Sequence, residues 1–363
     1  MNKNNDIKVN LADLASPLMR WYDSHARILP WRENPLPYHV WVSEIMLQQT
    51  RVEAVKPFFD RWIQELPSIA TLAYASEQQI LKLWEGLGYY NRVRNMQKAA
   101  QVVMEKFQGQ LPASFDDLLA LPGIGEYTAG AVASIAFQLP VSCVDGNVLR
   151  VITRVLAEKQ DITKAAVKQQ LTEQVRKIIP KSRPGDFNQA LMELGAVICL
   201  PNGSPKCEIC PVSYLCEAFR QNTMLDFPIK AAKKPRKVEE RTVFVLIKGN
   251  KVALRKRESR GLLAGLWEFP NVSDALSLLE VEELLGSWGL FPSTITELNA
   301  AKHIFTHIEW HMTGYLALVN GENGNEEKDS NENFQWVSVD ILKDQLALPS
   351  AFKSYYKAMI ENF

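Results

Sequence analysis

Apolar residues recur at helical spacing through the first half of the chain. Between residues 6 and 30, Leu11, Leu14, Leu18, Trp21 and Tyr22 fall on one helical face. The same period continues at residues 58–62 and 80–83, and again over 148–156 and 164–179. A stretch from Leu119 to Arg150 organises this half. One apolar run leads into Leu121-Pro122-Gly123-Ile124-Gly125, and a second, residues 127–137, leads out. The patterning changes after residue 241. Residues 242–247 and 251–255 are β-rich and flank Gly249-Asn250, a hairpin signal. A helix is expected over 276–288, and paired strands over 303–311 and 313–319. Residues 225–241 (LDFPIKAAKKPRKVEER) carry charge and proline with few apolar positions, which reads as an interdomain linker. The polar, acidic stretch 320–333 reads as a surface loop. The expected fold is multidomain: an all-α domain over 1–224, then an α+β domain over 242–363.

Composition narrows the class. The chain has 363 residues, 47% hydrophobic and 23% charged, enough for two well-packed cores. It holds no run of 18 apolar residues, and its first residues, MNKNNDIKVN, lack an apolar signal core. A cytoplasmic protein is expected, with no membrane partner. Lys+Arg and Asp+Glu are both 41, so any phosphate-binding face must come from local clustering rather than bulk charge.

Several local patterns carry chemistry. The two glycines of Leu121–Gly125, Gly123 and Gly125, leave backbone N–H groups bare at a turn that opens a helix, where a phosphate can accept from them. Alone, such a turn could also be an ordinary helix–helix connection. Asp145 follows in Val144-Asp145-Gly146-Asn147. Glu44 stands in the apolar run Trp41–Leu47, where desolvation raises a carboxylate toward the range of a general acid. Equally, Ser43 could cap a helix whose dipole Glu44 would favour. Leu29-Pro30-Trp31-Arg32 reads as a proline-broken loop, its Trp31 either core or functional. Gly86-Leu87-Gly88-Tyr89-Tyr90-Asn91-Arg92-Val93-Arg94-Asn95 reads as a loop able to stack on bases and meet phosphates, or as a plain surface turn.

The strongest local signal is Cys199-x7-Cys207-x2-Cys210-x5-Cys216. Four cysteines at short spacing in a cytosolic chain suit zinc or a [4Fe–4S] cluster. Only Cys207 and Cys210 form a C-x-x-C unit, and the compact wrap favours iron–sulfur. Cys143, in an apolar run, reads as core.

Taken in order, LPWR, VSEIMLQQT, EGLGYYNRVRN, LPGIGEYT, VDGN and the four cysteines resemble the MutY-type adenine DNA glycosylases, over nearly the whole chain. The resemblance implies a helix-hairpin-helix glycosylase domain with a [4Fe–4S] loop at 199–216, then a Nudix-like domain that recognises 8-oxoguanine. It implies base-excision repair: hydrolytic removal, by base flipping, of adenine mispaired with 8-oxoguanine or guanine in duplex DNA. A monomer acting on the nucleoid is the default expectation. By the same match Glu44 is the acid, Asp145 stabilises the oxocarbenium ion, and Asn147 and Tyr127 position them. Arg27, Trp31, Arg32 and Gln189 would line the adenine pocket. Gln49 and Tyr89 would wedge into the stack, and Thr50 and Leu87 would lie near the 8-oxoguanine strand.

Tyr127 stands where endonuclease III-like enzymes carry a lysine that forms a Schiff base. A monofunctional glycosylase is therefore expected, against the alternatives of a glycosylase-lyase or a non-catalytic lesion-binding protein. Phe305-Thr306-His307 matches the family's Phe-Ser-His loop that inspects 8-oxoguanine; Thr306 keeps the hydroxyl. Counted from Gly265, the Nudix hydrolase positions fall on Asn271, Leu279, Glu280, Glu283 and Leu284. With so few acids left, a recognition module is expected rather than a nucleotide hydrolase. The family usually has six residues between its first two cysteines; this chain has seven, in a loop where an extra residue costs little. The cluster is expected to brace a DNA-contacting loop containing Lys206.

Overall fold

The computed structural model describes residues 9–232, 235–319 and 333–363. The acidic stretch read as a surface loop lies, apart from Asn333, outside the described residues. In chain order the helices are α1 (Ala15–His25), α2 (Pro30–Glu33), α3 (Pro37–Leu47), α4 (Val52–Glu65), α5 (Ile69–Tyr74), α6 (Glu77–Leu83), α7 (Asn91–Lys106), α8 (Phe115–Leu119), α9 (Glu126–Ala131), α10 (Gly146–Leu156), α11 (Ala165–Arg176), α12 (Pro184–Val197) and α13 (Glu217–Arg220). The strands β1 (Lys237–Lys248), β2 (Lys251–Lys256), β3 (Trp267–Glu268) and β4 (Asn271–Val272) precede α14 (Leu278–Ser287). Then come β5 (Pro292–Ile304), β6 (Ile308–Val319), β7 (Gln335–Ser338), α15 (Val339–Asp344) and α16 (Lys353–Ile360). The chain forms two compact units: Met1–Tyr74 with Asn95–Ala232, and Ala75–Arg94 with Lys233–Phe363.

The first unit is helical. Buried Leu14, just ahead of α1, and Leu18 and Trp21 of α1 join one core with Val148, Val151 and Ile152 of α10, Val167, Leu171 and Val175 of α11, and Phe187, Leu191 and Leu194 of α12. Each set repeats at three or four residues, so each helix buries one stripe. At the hairpin, Ser114 caps α8 by accepting from the Asp117 N–H (3.4 Å). The chain turns at Gly123, whose φ of +74° and an Asn95 Cβ only 2.5 Å from any added Cβ both demand glycine. Gly125, extended, is the N-cap of α9. The run beyond α9 continues as a π-helical turn, Val132–Ala136.

Three local expectations are corrected here. Pro30 does not break a loop; it opens α2, where its missing N–H costs nothing. Residues 91–95 are the start of α7, not loop. Glu44 lies late in α3, which begins at Pro37, so Ser43 is no cap; its hydroxyl donates to Val40 O (2.9 Å).

The second unit is a mixed sheet in the order β3-β2-β1-β6-β5, with β4 on β1 and β7 on β2. β1 and β6 run parallel, from Lys237 opposite Ile308 to Ile247 opposite Leu318. β1 and β2 form the expected hairpin, with Gly249 at φ +57°. Alternate residues of β1 enter different cores: Val243, Val245 and Ile247 pack with Phe352, Tyr355 and Met359, and Phe244 and Leu246 with Val281 and Leu285. A strand buried on both faces reads as a continuous apolar run, as VFVLI does. The strand break expected near residue 312 is not there. The turn is at residues 305–307, and β6 is unbroken because Trp310, Met312 and Leu316 all face one core. Most of its partner β5 was missed, since this exposed strand carries few apolar residues to mark it.

Candidate active site

In the first unit a cavity of about 660 Å³ gathers side chains that are far apart in sequence. Its lining includes Arg27, Trp31, Arg32, Glu44, Gln49, Thr50, Tyr127, Asp145, Asn147 and Gln189. Ten residues singled out from the sequence thus line one cavity.

α3 holds Glu44 among Val40, Trp41, Val42, Ile45 and Met46, all buried, and Glu44 itself is only 5% exposed. Burial pushes its carboxyl up to about 7, and the charge of Asp145 adds to this. The Tyr127 hydroxyl and Arg32 pull the other way. Tyr127, early in α9, donates its hydroxyl to Glu44 Oε2 at 2.5 Å and also reaches Met192 Sδ at 3.3 Å.

Asp145 is the N-cap of α10. Its Oδ1 accepts from the Val148 N–H (2.8 Å) and its Oδ2 from Asn147 Nδ2 (2.7 Å). Burial raises its pKa, but the Val148 and Asn147 donors and Arg150 oppose the rise. The two carboxylates therefore sit in unlike settings: Glu44 with one hydroxyl donor in an apolar wall, Asp145 with several donors at a helix start. That contrast separates an acid from an anion in one site.

The far wall is polar. Glu193, side chain wholly buried, accepts from Arg27 Nε (2.5 Å), Arg27 Nη2 (2.9 Å) and Arg32 Nη2 (2.9 Å). Burial raises its carboxyl, but the two arginines more than compensate and hold it below the usual range. Arg32 Nε also donates to Gln189 Oε1 (3.1 Å). Trp31 is buried against Phe59, edge to face.

Behind Asp145, Arg150 donates to Asn147 Oδ1, Gly195 O and Cys199 O, each at 2.8 Å. One turn on, Arg154 Nη1 donates to Cys199 Sγ (3.2 Å) and Leu200 O (2.9 Å). α12 comes this close because Gly195 lacks a side chain; a Cβ there would lie 2.7 Å from the Asn147 Cβ.

Cys199, Cys207, Cys210 and Cys216 line one small cavity of about 30 Å³, walled by Val151, Val155, Leu194 and Phe219 among others. Among the described residues no group of three or more His, Cys, Asp or Glu is arranged to hold a metal ion. Four thiols lining one small cavity are a donor set that a zinc ion or a [4Fe–4S] cluster takes. Cys143 is fully buried, as expected of a core residue.

In the second unit Leu87, Tyr89, Thr306 and His307 line a cavity of about 530 Å³ with Leu262, Leu263 and Phe305. Tyr89 and Thr306 share a hydroxyl–hydroxyl bond of 3.0 Å. Gly123 and Gly125 are both exposed on the hairpin. Of the Nudix positions, Asn271 Oδ1 accepts from Arg241 (2.9 Å), and Glu280 closes the capping box of α14 on Ser277.

Sequence reasoning missed Glu193, Met192 and Arg150. A lone acid inside the apolar run ALMELGAV was a visible signal for Glu193. Little local marks Arg150, because apart from Asn147 on its own helix its partners come from α12 and the cysteine loop.

Comparison with known proteins agrees with this geometry. Residues 42–177 match the HhH-GPD superfamily of base excision DNA repair proteins, and residues 242–358 match the NUDIX domain. The adenine DNA glycosylase of Mus musculus is 38% identical over 84% of this chain and 70% of its own length. That of Schizosaccharomyces pombe is 33% identical over 94% and 88%. The structure of a thermostable thymine-DNA glycosylase superposes with a TM-score of 0.52 at 29% identity, covering 58% of this chain and 96% of that one. A helix-hairpin-helix unit with two unlike carboxylates in its cavity, a Nudix-type second unit, and identity at this level over most of the length lead to one conclusion: the chain belongs to the adenine DNA glycosylases, enzymes of base-excision repair.

Proposed function

We propose that the chain excises adenine paired with 8-oxoguanine, or with guanine, from duplex DNA by acid-assisted hydrolysis. The observation that carries this reading is the pair of differently tuned carboxylates, Glu44 and Asp145, facing one cavity. Adenine is a poor leaving group. Glu44 gives a proton to adenine N7, the C1′–N9 bond breaks, and its electron pair leaves with the base. The cation at C1′ faces the Asp145 carboxylate, much as in other glycosidic cleavage. Water then adds to C1′ and loses a proton, leaving adenine and an abasic site. Tyr127 and Asn147 hold the two carboxylates. Tyr127 has no amine, so no Schiff base forms there and the strand stays uncut. Arg27, Trp31, Arg32, Gln189 and Glu193 form the base-binding wall.

To reach Glu44 the nucleotide must leave the stack, which costs a few kcal/mol. Gln49 and Tyr89, assigned as wedges, both hold left-handed backbone, at φ +61° and +48°. Strain of this kind, in residues other than glycine, gathers at functional sites. The hairpin amides near Gly123 and Gly125 take a backbone phosphate, and Thr50 and Leu87 with Thr306 and His307 meet the strand carrying 8-oxoguanine. Cys199, Cys207, Cys210 and Cys216 would hold a [4Fe–4S] cluster, which when bound stiffens the loop carrying Lys206.

The test is single-turnover adenine release from duplexes with adenine opposite 8-oxoguanine, guanine or thymine. Release from the first two and not the third supports the proposal. Equal release from all three, or none, sinks it.

A further inference from the structure

We propose that Lys168 is a positioning residue that takes a backbone phosphate beside the flipped nucleotide; this rests on the cavity receiving that nucleotide. On α11, Val167, Leu171 and Val175 are buried in the core shared with α10. Lys168, one position after Val167, is exposed and lines the 660 Å³ cavity, as do Asp145, Gly146 and Asn147. The other cations on that wall, Arg27 and Arg32, are bound to Glu193. Among the described residues Lys168 has no ion-pair partner, so it is the one lining cation still able to take an anion.

The chemistry asks for such a group. The sugar of the extruded nucleotide must come to the Asp145 carboxylate with a phosphate on either side. That brings like charges together, and the chain as a whole carries no net positive charge to offset them. A flexible ammonium on the same wall neutralises one phosphate and fixes the strand without reading sequence.

The experiment measures binding of wild type, Lys168→Gln and Lys168→Arg against salt. The probe is a duplex with 8-oxoguanine opposite 2′-fluoro-2′-deoxyadenosine, which resists cleavage. Losing one phosphate contact lowers the slope of log K against log [salt] by about 0.9. Lys168→Gln should show that drop, and Lys168→Arg should restore the slope. In single-turnover assays the Gln variant's loss should fall on the half-saturating enzyme concentration more than on the maximal rate. A Gln variant with the wild-type slope overturns the assignment, as does a loss confined to the maximal rate. A borohydride-trapped adduct with the abasic product that depends on Lys168 overturns it too, in favour of amine capture. If wild type releases no adenine, the proposed function fails instead, and the two failures are told apart.

Discussion

The hydroxyl of Tyr127 donates to Glu44 Oε2 across 2.5 Å, joining the helix after the hairpin to the acid buried in α3. The bond favours the charged carboxylate, yet burial outweighs it, and Glu44 titrates near 7. Tyr127 thus orients the acid without stripping its proton at neutral pH.

A general acid must be protonated to act. Adenine release should therefore fall as pH rises through about 7, and fall again at acid pH, where the Asp145 carboxylate takes up a proton. Glu44→Gln cannot give a proton, and should lose about 10²–10⁴-fold in rate at every pH. A profile that rises through pH 7 would contradict the role given to Glu44.

The same shift affects stability. The folded pKa of Glu44, about 7, lies above its ordinary value of 4.5. The folded state therefore binds the proton more tightly, and this contribution is complete below pH 4.5 and is lost as pH rises to 7. Glu44→Gln removes the cost of an ionised buried carboxyl. Its melting temperature should exceed that of wild type at pH 8, by an effect on the order of 3 kcal/mol, and converge with it near pH 4.5. Calorimetry at the two pH values checks the sign.

Tyr127→Lys puts an amine where the hydroxyl meets Glu44 in the base-excision cavity. The variant should trap covalently with lesion duplex under borohydride and nick the strand, and wild type should do neither. Gel analysis of the reduced complex reads both.

Arg150→Gln deprives Asn147, Gly195 O and Cys199 O of a shared charged donor. At least about 3 kcal/mol of stability should go with it, since charge-assisted bonds to buried acceptors are lost together. Asn147 loosens behind Asp145, so the rate should fall by up to about 10²-fold. Thermal unfolding, single-turnover rate and iron per chain should move together.

Much of the catalytic unit was legible because its helices bury one stripe each, and a carboxylate in such a stripe stands out. Glu44 was visible on that ground, and Asp145 through the Val144-Asp145-Gly146-Asn147 segment that follows the hairpin. Their order in the chain, amid motifs of fixed wording, carried the rest. What stayed hidden depends on distant partners. Arg150 looks like any arginine on a helix until α12 and the cysteine loop arrive around it. β5 escaped because its side chains face solvent, and an exposed strand has no apolar period to betray it. Glu44's place late in α3 was lost for a different reason: Pro37 opens the helix without a polar cap to announce it.

Asp145 serves two masters. As the N-cap of α10 it accepts from the Val148 N–H, a service that asparagine performs equally well. Asparagine at this position keeps an acceptor for the start of α10 and deletes the anion, losing only the Oδ2 that accepts from Asn147 Nδ2. On the proposed function, the expected product is a folded protein that still meets its DNA but releases no base, and so competes with a working copy.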